Sequence, residues 1–83
     1  MIRVFLVDDS AFVRRALTRV LALEPGVRVV GEAASGSEAL ARIPAAEPDL
    51  VTLDVAMPGI DGLQVLPALL RWKPSLKVRP TPV

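Results

Sequence analysis

Three short apolar runs constrain this chain more than any other feature. They occupy Ile2–Val7, residues 27–30 and residues 50–53. The first is β-branched and apolar nearly throughout, without polar alternation, as expected of a strand covered on both faces. Between them lie segments of helical periodicity. Val13, Leu17, Val20 and Leu21 recur on one face after Ser10, a good N-cap. "EPG" at 24–26 ends that helix. Ser35 and Glu38 have the spacing of a capping box, and the short helix after them runs to Pro44. Leu63, Leu66, Leu69 and Leu70 mark a third helix, in which Pro67 should kink the chain or delay its start. The order β-α-β-α-β-α predicts an α/β fold: a parallel sheet with helices on both faces and right-handed crossovers.

In such sheets ligands bind beyond the carboxyl ends of the strands, where strand order reverses. Asp8 and Asp9 follow the first run, and Asp54 follows the third. If those strands are neighbours, three carboxylates meet in one crevice. Two unit charges ~4 Å apart repel by ~4 kcal/mol at an effective dielectric near 20. A domain of 83 residues is marginally stable, so the repulsion needs an offset. A divalent cation supplies it. The chain has no Cys and no His, so a metal here is held by oxygen, which selects a hard ion such as Mg²⁺ or Ca²⁺. The same absences exclude disulfides, thiol nucleophiles, zinc–thiolate sites and Ser-His-Asp chemistry. An aspartate can itself be a nucleophile and form an aspartyl-phosphate, and phosphoryl transfer asks for alignment and charge neutralisation more than for a base.

Ten basic and nine acidic residues leave a net charge of +1, which argues against nucleic acid as a partner. No apolar run reaches the ~18 residues of a membrane span, and "MIRVFLVDD" does not read as a signal peptide. The expected location is the cytoplasm.

The stretches "FLVDDS", "VGEAASGSEAL" and "PDLVTLDVAMPGIDG", with their spacing, resemble the receiver domain of two-component response regulators. "VDDSAFVRRAL", "VTLDVAMPGIDGL" and "RPTPV" look most like the receiver half of the chemotaxis protein-glutamate methylesterases. The resemblance implies a flavodoxin-like, doubly wound sheet. It implies Asp54 as phosphoacceptor, with Mg²⁺ held by Asp8, Asp9, Asp54 and the backbone carbonyl of Ala56. Pro58 and Gly62 would shape the adjoining loop. The donor would be a phosphohistidine on a histidine kinase, and the output would lie in a C-terminal effector domain of a longer protein.

The family fold has five strands and five helices, and residues 1–83 supply three strands of the expected five. The chain therefore reads as the N-terminal fragment of a receiver. On this reading "RPTPV" approaches a fourth strand without entering it, and Thr81 precedes that strand and cannot be the family's switch residue. The third strand has an open edge through which the chain could self-associate. Lys73-Pro74 imitates the family's Lys-Pro pair, but it follows a helix rather than a fifth strand and is not taken as that lysine. Ala56 stands where the methylesterases more often have an acid, so only its carbonyl can serve a metal. Asp61 reads as turn and N-cap rather than ligand. Arg14 and Arg15 read as a solvated helix face, and Trp72 as cover for a helix end. A rival reading is a degenerate receiver acting only as an interaction module, without phosphorylation. A metal-dependent phosphohydrolase is disfavoured, because such enzymes usually place a second acid two residues beyond the nucleophile, where this chain has Ala56.

Overall fold

β1 (Ile2–Val7), α1 (Ala11–Leu21), β2 (Val27–Ala33), α2 (Gly36–Ala46), β3 (Leu50–Asp54), α3 (Gly62–Trp72) and β4 (Lys77–Thr81) follow one another along the chain. The computed structural model describes residues 1–55, 57 and 62–81. The four strands form one sheet in the order β2-β1-β3-β4, and every pair is parallel. The chain steps to one side from β1 to β2, then back across β1 to β3. With right-handed crossovers, that reversal puts α1 on one face of the sheet and α2 and α3 on the other. The reversal point lies between β1 and β3.

Alternation along the strands divides the side chains accordingly. Phe5, Val7, Val51 and Leu53 face α2 and α3 and pack with Ala39, Ile43, Val65 and Leu69 in the main core. Val4 and Leu6 point to the α1 face and are buried as well. This is why β1 reads as a continuous apolar run. α1 itself has no buried residue, and Phe12 is 74% exposed. Its inner side chains Val13, Leu17 and Leu21 are half-buried over Val4 and Leu6.

Gly31 is dictated by packing. β1 and β2 slip register between Val4 and Phe5, so that Val4 pairs with Val29 and Phe5 with Gly31. The Phe5 ring lies directly on Gly31, and a Cβ there would sit 2.7 Å from Phe5 Cε2. The close approach excludes any larger residue while Phe5 stays in place.

Five sequence expectations need correction. There are four strands, not three. β4 is formed and pairs with β3 from Leu50–Lys77 to Asp54–Thr81, so β3 has no open edge and Thr81 lies inside a strand, level with Asp54. The edges among the described residues are β2 and β4. β4 carries Lys77, Arg79 and Pro80, residues that discourage further pairing. β2 runs on to Ala33 rather than ending near residue 30. α2 passes through Pro44 to Ala46, with Glu47 as a left-handed C-cap at φ 49°. Arg3 explains the extension, since its side chain donates to the carbonyls of Ala46 (2.6 Å) and Glu47 (3.1 Å). This long-range cap satisfies carbonyls at the helix C-terminus that have no intrahelical donor. Among the described residues, no helix is long and apolar enough to cross a membrane.

Candidate functional site

The site sits at the reversal point, where β1 and β3 end side by side. Asp8 still belongs to the sheet through its N–H, which donates to Ala33 O at 3.1 Å. Its side chain then turns back. Asp8 Oδ1 accepts the Ser10 N–H at 2.9 Å, a local turn that Asp forms readily. Ser10 caps α1, with its Oγ accepting the Val13 N–H at 3.2 Å. Asp8 is thus 7% exposed and oriented, while Asp9 is left exposed beside it. Asp54 is the last residue of β3 and fully buried.

One carboxylate oxygen from each of Asp8, Asp9 and Asp54 lies within 4.8 Å of the others. At that separation each pair repels by ~3.5 kcal/mol at a dielectric near 20 and by ~0.9 kcal/mol in water. The N-terminus of α1 beside them carries a partial positive charge, which offsets a fraction of the repulsion. The donors are all oxygen, and their span is close to the ~4.2 Å between opposite ligands of a Mg²⁺ ion. The cluster fits a small hard cation.

Arg14 reaches the site from α1. It is not on a solvated face: its side chain is 15% exposed and is bound at both ends. Nη1 donates to Asp8 O at 2.6 Å, and Nε pairs with Glu32 Oε1 at 2.7 Å. Helical side chains lean toward the helix N-terminus, so a long residue one turn inside α1 reaches back to the end of β1. That direction was the available clue. Arg15 is exposed as expected.

The remaining expectations fall away from the cluster or outside the described residues. Lys73 Nζ donates to Pro48 O at 3.3 Å, before the start of β3 and so at the opposite end from the acids. Ser35 caps α2 through the Glu38 N–H at 3.2 Å, but Glu38 directs its carboxylate to Arg42 rather than back to the cap. Trp72 closes α3 and is 39% exposed. Gly62 begins α3. The Ala56 carbonyl, Pro58 and Asp61 lie outside the described residues.

The response regulator receiver domain model matches residues 4–79. The chain belongs to that family. It is 52% identical over 77 residues to a protein-glutamate methylesterase/protein-glutamine glutaminase of Paramagnetospirillum magneticum, a match covering 93% of this chain and 20% of that protein. It is 58% identical over 33 residues to one from Xanthomonas campestris pv. campestris, covering 40% of this chain and 9% of that protein. The response regulator domain of Thermotoga maritima CheB superposes with a TM-score of 0.87 at 36% identity, over 99% of this chain and 60% of that one. In the CheX–CheY–BeF₃–Mg²⁺ complex from Borrelia burgdorferi, the matched chain gives a TM-score of 0.90 at 31% identity, over 98% of this chain and 61% of that one. This receiver chain therefore spans a tenth to a fifth of those curated relatives and about three-fifths of those solved structures.

Proposed function

We propose that this receiver takes a phosphoryl group from a phosphohistidine of a histidine kinase onto Asp54, with Mg²⁺ held by Asp8, Asp9, Asp54 and the backbone carbonyl of Ala56. The observation that carries the reading is the convergence of three carboxylate oxygens within 4.8 Å at the reversal point of a receiver sheet. Asp54 supplies the nucleophile. One of its carboxylate oxygens attacks phosphorus, the P–O bond forms, the P–N bond breaks, and the electron pair returns to the imidazole nitrogen of the donor. When bound, Mg²⁺ neutralises the acids and the phosphoryl oxygens together and so permits anionic donor and anionic acceptor to approach. Asp8 and Asp9 would hold the cation beside the nucleophile. The Ser10 N–H keeps Asp8 in its orientation, and the end of β3 holds Asp54 beside it.

Residues 1–83 act on this reading as the N-terminal receiver part of a longer cytoplasmic regulator, with a C-terminal effector domain as the output. The sequence match to protein-glutamate methylesterases favours a chemotaxis regulator of that type, in which phosphorylation relieves inhibition of the esterase half. Incubation with Mg²⁺ and acetyl phosphate, followed by intact mass measurement, tests the site. The wild-type chain should gain one phosphoryl increment and Asp54→Asn none. An increment that persists in Asp54→Asn refutes the assignment, and so does a folded chain that binds no Mg²⁺.

A further inference from the structure

α1 begins at the site, yet none of its residues is buried and Phe12, Ala16 and Val20 are exposed on its outer side. Val13, Leu17 and Leu21 cover Val4 and Leu6 but stay only half-buried, so apolar packing fixes the rotation of α1 less firmly than that of α2 or α3. Polar contacts near its first turn add to it. Arg14 makes the central one, between the Asp8 carbonyl (2.6 Å) and Glu32 Oε1 (2.7 Å). The carbonyl it holds belongs to the peptide linking Asp8 to Asp9. Fixing that peptide fixes the direction in which Asp9, the exposed acid of the trio, leaves the chain. Glu32 lies in β2, paired with Leu6 of β1, so its carboxylate is anchored in the sheet. It holds Nε of the same guanidinium, leaving Nη1 aimed at Asp8. A planar fork carrying donors at both positions suits this bridge, and a lysine ammonium cannot span it with the same geometry.

We infer that Arg14 is a positioning residue for the cation site: through Glu32 and the Asp8 carbonyl it sets the Asp8–Asp9 peptide so that both acids face Asp54. The inference rests on the proposed Mg²⁺ site and names a residue that touches neither metal nor phosphoryl group. Groups that orient ligands from behind commonly change metal affinity by 10- to 100-fold when removed. Here the connection runs through the backbone, so the lower end applies.

The test measures Mg²⁺ binding to the 83-residue chain by calorimetric titration, beside thermal melts in EDTA and phosphorylation by acetyl phosphate across a Mg²⁺ series. Arg14→Gln should weaken Mg²⁺ binding about 10-fold. Its phosphorylation should return to within about twofold of wild type at saturating Mg²⁺, since the nucleophile is untouched. Arg14→Lys should recover part of the affinity, because one donor can still reach the carbonyl. Glu32→Gln, which loosens the same bridge from its other end, should shift affinity in the same direction by less. Unchanged Mg²⁺ affinity in both Arg14→Gln and Glu32→Gln, with only a lowered melting temperature, overturns the inference and makes the bridge a stabilising contact. A lower maximal rate with unchanged Mg²⁺ dependence overturns it too. Failure of the wild-type chain to bind Mg²⁺ is a different result: it removes the metal site itself, and this inference with it.

Discussion

Replacing Asp9 with Asn should stabilise the metal-free domain and abolish most of its response to Mg²⁺. Asp9 sits with an oxygen within 4.8 Å of oxygens from Asp8 and Asp54. Each pair costs ~0.9 kcal/mol in water and ~3.5 kcal/mol at a dielectric near 20. Asp9 is exposed, so the water limit governs, and neutralising it relieves ~2 kcal/mol over two pairs. The acid also gains ~0.5 kcal/mol from the N-terminal end of α1, which Asn forfeits in part. The net gain is about 1.5 kcal/mol, or roughly 6–12 °C in melting temperature for a domain of this size. Mg²⁺ at one hundred times its dissociation constant should stabilise the wild type by about 2.7 kcal/mol and the variant by much less, so the order of the two proteins reverses. Thermal melts by circular dichroism in EDTA and in MgCl₂, at low ionic strength, read both effects. Repeating the EDTA melts in ~1 M NaCl, where the screening length falls to ~3 Å, should shrink the difference. A variant that melts below wild type in EDTA refutes the repulsion argument. A variant that Mg²⁺ stabilises as much as wild type refutes Asp9 as a ligand.

Three further substitutions probe the frame around the site. Gly31→Ala should cost about 1–3 kcal/mol in urea unfolding, because its Cβ meets a buried Phe5 ring at 2.7 Å; a neutral result would mean the ring can move. Ser10→Ala should cost about 1 kcal/mol through loss of the α1 cap, and no change in stability would contradict the Val13 N–H bond. Lys73→Ala should leave the rate of phosphorylation by acetyl phosphate unchanged, since Lys73 is tied to Pro48 O away from the acids, and a folded but unphosphorylatable variant would contradict its placement.

Much of this protein was legible in its sequence, because strands buried on both faces have an unambiguous pattern. β1 and β3 are apolar nearly throughout, and the acids at their ends mark where the carboxylates cluster. What stayed hidden depends on contacts between residues far apart. β4, "KVRPT", mixes charges with a proline, and it is a strand because β3 offers it a ladder. An edge strand needs no second buried face, so periodicity does not mark it. The end of α2 beyond Pro44 is capped by Arg3, more than forty positions away, which donates to its last carbonyls. Arg14 looked like surface charge because the helical pattern reports only which way a side chain leaves the helix. That it returns to the Asp8 carbonyl and to Glu32 depends on β2 lying beside β1.

The central claim is that Asp54 accepts the phosphoryl group and that Asp8 and Asp9 serve the cation instead. Borohydride reduction after phosphorylation distinguishes them, since it converts an aspartyl-phosphate to homoserine at the modified position. Peptide sequencing by tandem mass spectrometry should find homoserine at position 54 alone, and only when Mg²⁺ was present. Homoserine at position 8 or 9, or formation at position 54 that does not depend on Mg²⁺, would contradict the account.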